Sequence, residues 1–285
     1  MSLVAVATCA GDQLVDPDSP LLLDALDAAG VEGELCVWDD SRVRWDRYEL
    51  VVVRSTWDYA ARRDEFLEWA RGLGRVLNPF EVLRYSADKH YLIDQAQRGH
   101  AVVATSFCDV GASPTFPDAD FVVKPCVGAG SIDADRFARD ERERATAHVR
   151  RLHDAGRDAM IQPYIASVDT LGERALIFID GAFSHAMTKG AMLNDAPDDR
   201  DALFRREQMT RADAEPDALA AAAAVLDDPR FADLLYARVD LVDDDGTWRL
   251  MELELVEPSL FLGYDDTAAT TLARAIRVRL ERPSR

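Results

Sequence analysis

Ala237-Arg238-Val239-Asp240-Leu241-Val242 and Leu250-Met251-Glu252-Leu253-Glu254-Leu255 carry the reading that decides the fold. Each run alternates charged with apolar residues at the period of a strand. Arg238 and Asp240 therefore share one face of one strand, and Glu252 and Glu254 share one face of the next. Asp245-Gly246 between them is a two-residue hairpin signal. Folded as a hairpin, the segment gathers three carboxylates and one guanidinium on a common face. Like charges that close raise one another's pKa unless a cation sits among them. Mg²⁺ takes hard oxygen ligands, commonly carboxylates with phosphates. A solvated face of an antiparallel sheet would show the same alternation, so spacing alone leaves both readings open.

Working outward, Asp180-Gly181 marks a second hairpin, between strands predicted at Ala175–Ile179 and Phe183–Thr188. With strands at Tyr236–Val242 and Trp248–Leu255 and helices at Pro216–Leu226 and Thr267–Leu280, the end of the chain reads as an antiparallel lobe. The beginning reads differently. Apolar runs at Leu3–Thr8, Glu34–Trp38 and Leu50–Val53 alternate with helical patterns at Leu21–Ala29 and Arg62–Gly72. That alternation implies a parallel sheet covered on both faces. Between the two lie a helix at Ala87–Gln97, strands at Val102–Phe107, Phe121–Pro125 and Ala159–Gln162, and a charged helix at Ala138–Ala155. The expected class is α/β (α+β), in three units: 1–85, 86–165 and 166–285. The run Asn194–Arg206, dense in Asp and Arg, reads as a surface loop.

The chain has 285 residues, 48 % hydrophobic and 30 % charged, with a formal charge of −19. That excess of negative charge excludes nucleic acid and anionic membrane as partners, since both need basic patches. An acidic protein that handles phosphate needs local help from buried lysines, arginines or a divalent cation. Cys9, Cys36, Cys108 and Cys126 form no CxxC pair and read as buried thiols in a reducing compartment. The opening Leu3–Ala7 run lacks a basic leader, and no apolar stretch approaches ~18 residues, which predicts a cytoplasmic protein. The oligomeric state, homo-oligomer included, stays open.

Lys124 ends an otherwise apolar strand, before Pro125 and a loop holding Gly128, Gly130 and Ser131. Backbone that can approach closely, beside an ammonium, suits a phosphate. A snorkelling surface lysine would look the same in sequence. Asp88-Lys89 opens a helix, for which a capping Asp is reason enough. His185 and Lys189 lie on the same face of one strand as Met187. The histidine reads as a core residue or a substrate contact, and the lysine has little structural purpose in an apolar hairpin. Glu257, before Pro258, caps a turn or binds a substrate amine, whereas Trp57 and Trp69 read as core.

Taken in order, Asp88-Lys89, Val122-Val123-Lys124-Pro125, Gln162-Pro163-Tyr164-Ile165 with Asp169, Arg238-Val239-Asp240 and Glu252-Leu253-Glu254 resemble the ATP-grasp superfamily across essentially the whole chain. The resemblance implies ATP and Mg²⁺ (Mn²⁺ as a substitute) as cofactors. Lys89 and Lys124 would then hold phosphates beneath the loop carrying Gly128, Gly130 and Ser131. Gln162, Tyr164 and Ile165 would sit at the adenine and Asp169 at the ribose. It also implies Asp240, Glu252 and Glu254 as metal ligands and Arg238 as the stabiliser of transition-state charge, with Lys189 and His185 as further catalytic candidates. One departure is Glu254, where the superfamily often has Asn. Within the superfamily, QPYIASVDTLGE (162–173), GAFSHAMTKGAML (181–193) and ELELVEPSLFL (252–262) resemble the D-cycloserine synthetases, which close a ring in an O-ureido-serine. Arg54-Ser55-Thr56-Trp57-Asp58-Tyr59 resembles the form of the wider group instead. It lies just past a strand's carboxyl end, where α/β sheets bind ligands. Arg54, Ser55, Thr56 and Asp58, with Glu257, are accordingly expected to bind a small amino-acid-like substrate whose identity stays open. A nucleotide-binding protein without turnover and a kinase without ligation are the rival readings.

Overall fold

The computed structural model describes residues 2–11, 16–190 and 209–282. The expected loop at Asn194–Arg206 lies outside them. The first sheet is parallel in the order β2-β1-β3-β4, with β1 at Leu3–Thr8, β2 at Glu32–Val37, β3 at Leu50–Ser55 and β4 at Val76–Leu77. Both its faces are covered, which is why β1 is apolar through Ala7 and β3 through Val53 rather than alternating. Helix α1 (Asp18–Ala28) packs on one face and ends at Gly30, whose φ of +75° turns the chain into β2. Helices α2 (Arg63–Arg71) and α3 (Phe80–Ser86) meet the other face around Trp38, Phe66 and Leu83.

The predicted helix over 87–97 is shorter. Helix α4 runs Tyr91–Gln97, because the Asp88 carboxylate accepts from the His90 backbone N–H and holds 88–90 as a turn. That turn presents Lys89, whose own N–H donates to Cys126 O. The second sheet is antiparallel, β5-β8-β6-β7, with β5 at Ser106–Cys108, β6 at Phe121–Pro125, β7 at Asp135–Phe137 and β8 at Ala159–Pro163. Helix α5 (Arg142–Asp154) buries Ala145, Val149 and Leu152 against Phe121 and Phe137. The strand expected over 102–107 divides between two sheets. Val102 and Val103 bridge to Leu250, and pairing with β8 begins only at Ser106.

After the short helix α6 (Val168–Leu171), the third sheet runs β11-β10-β9-β12-β13. Its strands are β9 (Glu173–Ile179), β10 (Ala182–Lys189), β11 (Met209–Ala212), β12 (Tyr236–Asp244) and β13 (Thr247–Glu254), all antiparallel. Both predicted hairpins are present, with positive φ at Asp180 and Gly181 and at Asp245 and Gly246. Helix α7 (Pro216–Leu226) covers one face of this sheet, and α8 (Ala268–Leu280) joins α1 on the other, merging the first and third sheets in one core. Buried Asn78 locks that junction. Its amide donates to Tyr236 O and Leu255 O at 2.9 and 2.8 Å, and its oxygen accepts from the Leu235 N–H. Among the described residues no helix is long and apolar enough to cross a membrane. All four cysteines are free and buried.

Candidate active site

The β12–β13 ladder sets Arg238 opposite Glu254 and Asp240 opposite Glu252. The guanidinium forks onto Asp240, with Nε donating to Oδ1 and Nη2 to Oδ2, both at 2.9 Å, and Nη2 also donates to Glu254 Oε1 at 2.6 Å. One oxygen from each of Asp240, Glu252 and Glu254 lies within 4.8 Å of the others. Lys124, at the end of β6, reaches across from the second sheet to Glu252 Oε1 at 2.6 Å. Lys89 Nζ is 4.0 Å from the same oxygen and donates to Gly128 O at 2.8 Å. The cluster thus joins three parts of the chain distant in sequence.

Lys89, Lys124, Arg238, Glu252 and Glu254 line a cavity of about 650 Å³ between the second and third sheets, whereas Asp240 is 1 % exposed and does not reach its wall. Burial pushes the Glu254 carboxyl up against the pull of Arg238, and the negative charges of Asp240 and Glu252 push the same way as burial. Glu252 goes the other way. Burial alone would raise it, but Lys124, Lys89 and Lys189 hold it below the usual carboxylate range. Two glutamates one pleat apart are thereby driven in opposite directions, an arrangement that a divalent cation among them relieves.

Gly128, Gly130 and Ser131 form a strip of the wall beneath which Lys89 and Lys124 lie. Gly130 and Ser131 have φ of +61° and +57°, and a Cβ on Gly128 would come within 3.0 Å of Pro125 Cγ. Gln162, Tyr164 and Ile165 also line the cavity, as do Val122 and Met251. Asp169 is not on the wall. Its carboxylate accepts from the Tyr164 hydroxyl and lies 3.4 Å from Arg136, whose guanidinium covers the Tyr164 ring at 3.5 Å.

Lys189 also lines the cavity, its Nζ 3.8 Å from Glu173 Oε2 on the neighbouring strand. Sequence reasoning missed Glu173. The signal was Gly172-Glu173, directly across the ladder from Lys189, where a Cβ on Gly172 would sit 2.5 Å from Lys189 O. His185 does not reach the cavity. Four residues along a strand carry it about 13 Å from Lys189, under the loop 257–262, where Nε2 meets Leu260 O and Nδ1 meets Ser184 Oγ, both at 3.0 Å. Burial lowers its pKa, so it is a neutral, satisfied core histidine.

The expectation for the 54–58 segment needs a larger correction. The segment does end β3 at the carboxyl edge of the sheet, but its polar side chains turn inward. Arg54 is 1 % exposed, donates to Pro258 O at 3.0 Å and lies 3.6 Å from Asp18. Ser55 pairs with Thr8 at 2.8 Å, Thr56 is fully buried, and Asp58 accepts from Trp38 Nε1 at 2.8 Å. The side chain that reaches the cavity is Trp57, which the sequence assigned to the core, and its Nε1 donates to Glu257 O at 3.1 Å. Glu257 lines the cavity beside it with Ser259, and burial followed by repulsion from Glu254 raises its carboxyl well above the usual range.

Comparisons with known proteins agree with this architecture. A family model described as the N-terminal domain of D-cycloserine synthetase DcsG matches residues 4–78. Cycloserine biosynthesis protein DcsG of Streptomyces lavendulae is 38 % identical over 304 residues, covering 99 % of this chain and 100 % of the relative. A crystal structure of D-cycloserine synthetase DcsG superposes with a TM-score of 0.89 at 36 % identity, over 98 % of this chain and 100 % of that one. A D-alanine–D-alanine ligase from Bacillus anthracis, solved with ATP, shares the fold at a TM-score of 0.66 and 14 % identity, over 99 % of each chain. The chain belongs to the family of D-cycloserine synthetase DcsG and is an ATP-dependent ligase of the ATP-grasp fold.

Proposed function

We propose that this ligase activates the carboxylate of a small amino-acid-like substrate with ATP and closes a ring within it, a reading supported by relatives named for cycloserine biosynthesis and D-cycloserine synthesis. The observation that carries this reading is the convergence of Arg238, Lys89, Lys124, Lys189, Glu252 and Glu254 on one cavity, with an Asp240 oxygen within 4.8 Å of both glutamates. Asp240, Glu252 and Glu254 fit a Mg²⁺ ion. They offer clustered hard oxygens, and although both Asp240 oxygens accept from Arg238, each keeps a second lone pair. When bound, the ion supplies charge neutralisation between the phosphates and the acidic cluster.

The protein's own groups do the rest by position and charge. Lys89, Lys124 and the 128–131 loop hold the ATP phosphates, with the base against Gln162, Tyr164 and Ile165 and the ribose at the Tyr164–Asp169 rim. A substrate carboxylate oxygen takes the γ-phosphoryl group and ADP leaves. A nitrogen of the same substrate then attacks the acyl phosphate carbonyl, and inorganic phosphate leaves with the former carboxylate oxygen. Arg238 and Lys189 stabilise the negative charge that develops on the way. The second sheet and its loop exclude water, which would otherwise hydrolyse the acyl phosphate. Glu257, beside Trp57, takes the substrate's ammonium group.

The test is a screen of O-substituted D- and L-serines with ATP, following ADP, phosphate and the organic product together. One ADP and one phosphate per ring closed is the expected result. A phosphorylated product without a C–N bond would make the protein a kinase, and nucleotide binding without ADP would make it a non-catalytic binder.

A further inference from the structure

Gln162 is 3 % exposed, lines the cavity and stands opposite Val122 in the β6–β8 ladder. Its amide nitrogen Nε2 donates to Thr105 Oγ1 at 2.9 Å. Thr105 Oγ1 in turn lies 2.7 Å from Val103 O. A carbonyl oxygen only accepts, so the single hydroxyl proton of Thr105 is committed to Val103 O. The hydroxyl then has only lone pairs for Gln162, which must present its NH₂. The amide orientation, ordinarily a matter of inference, is here dictated by the chain of bonds. Gln162 Oε1 is the group left over, with no hydrogen-bond partner among the described residues, on a residue that lines the cavity together with Val122, Ile165 and Met251.

We propose that Thr105 sets which nucleobase the cavity accepts: by orienting Gln162 it offers a hydrogen-bond acceptor to the base and so selects a 6-aminopurine nucleotide over a 6-oxopurine one. The inference rests on the nucleotide reading above and goes beyond it, to the origin of base selectivity. An exocyclic 6-amino group donates to Oε1. A 6-oxo group puts a second acceptor against it and leaves Oε1 desolvated and unpaired, which is the strong form of discrimination. Thr105 does not line the cavity, so it acts through Gln162 as a positioning residue. Val103, which receives the proton, is buried and tied to Leu250 by its own N–H, so the relay is anchored in the third sheet.

Calorimetry and steady-state kinetics with ATP and ITP, which differ at the purine 6-position and its neighbouring N1, test this. Wild type is expected to favour ATP by tenfold to a hundredfold. Thr105→Val removes the hydroxyl at constant volume and frees the amide to turn its NH₂ toward a 6-oxo group. The ATP:ITP ratio should fall about tenfold, partly through tighter ITP binding. Thr105→Ser keeps the proton relay and should keep the ratio, and Gln162→Leu should weaken ATP while sparing ITP. A Thr105→Val ratio equal to wild type, or equal losses for both nucleotides, overturns the proposal and leaves Thr105 a structural residue. Should Thr105→Val fail to fold, a changed ratio in Thr105→Ser or an unchanged one in Gln162→Leu overturns it equally. Wild-type protein that binds neither nucleotide would instead defeat the ATP reading itself, and this inference with it.

Discussion

Two buried arginines reach the same loop, 257–262, and each pairs with two acidic residues among the described ones. Arg54 donates to Pro258 O and faces Asp16 and Asp18; Arg238 lies 3.4 Å from Ser259 O and binds Asp240 and Glu254. Residue types and burial are alike, yet the two clusters do different things. Around Arg54 the carboxylates are used up by the protein. Asp18 accepts from the N–H groups of Leu260 and Leu262 at 2.9 and 2.7 Å, and Asp16 from the Asp18 N–H and Ser19 Oγ. Around Arg238, Glu254 and the neighbouring Glu252 open on a cavity that also holds Lys89, Lys124 and Lys189. A buried charge cluster whose lone pairs are met by backbone donors is structure. One whose lone pairs face a cavity is a site for a ligand.

The sharpest way to break that contrast is to cut each cluster once. Asp18→Ala removes the acceptor for two buried N–H groups and one neighbour of Arg54. Breaking such a buried pair costs about 3–5 kcal/mol. Chemical denaturation should show a loss of that size, with nucleotide affinity retained in the folded fraction. A stable variant with a large KM change would make Asp18 part of the site.

Arg238→Ala should act on turnover. Loss of one donor to developing charge costs about 2.7–4 kcal/mol, a hundredfold to a thousandfold in kcat. If Arg238 served only to neutralise Asp240 and Glu254, the variant would fail to bind Mg²⁺-ATP in calorimetry. Near-normal turnover would remove it from both roles. Lys124→Ala comes next, at about 1.5–3 kcal/mol for one charge-assisted bond, or roughly tenfold to a hundredfold in ATP affinity. Adenosine affinity should hardly move, and equal losses for both ligands would take Lys124 out of the phosphate site.

A pH titration probes the Arg238 cluster. Burial and its acidic neighbours raise the Glu254 pKa, so a proton competes with a cation there. Mg²⁺ affinity should therefore rise with pH and fall by about tenfold per unit below that pKa. Glu254→Gln removes that proton and should flatten the profile, and an unflattened one would exclude Glu254 as a ligand. The smallest effect belongs to Asp58→Asn. The new amide oxygen still accepts from Trp38 Nε1, so stability should fall by less than about 1 kcal/mol and substrate affinity should stay within about twofold. A strong shift in substrate KM would return the 54–58 side chains to the site.

Legibility in the sequence followed how local each feature was. Strand period and the Asp-Gly turns placed Arg238, Asp240, Glu252 and Glu254 together, because a hairpin is short enough for spacing to be geometry. Period also put His185 and Lys189 on one face, but it carries no information about how far along the strand a cavity extends. The segment 54–58 failed in a related way. Its location at the sheet's edge was readable, while the direction of each side chain depended on the loop 257–262, some 200 residues away. Trp57 reached the cavity because Glu257 O accepts its indole N–H, a partner no local pattern could name.

By itself, then, the sequence determined both hairpins, the parallel character of the first sheet and the shared face of Arg238, Asp240, Glu252 and Glu254. These rest on periods of two and 3.6 residues and on turn chemistry, which act within a dozen positions. Only the tertiary structure decided which charges face the cavity. It brought Lys124 of the second sheet onto Glu252 of the third, closed Asp18 with the amides of Leu260 and Leu262, and aimed Gln162 through Thr105. The physical reason is that a side chain's role depends on whether its last lone pair or proton is met, and by whom. That partner comes from a part of the chain whose distance in sequence says nothing of its distance in space.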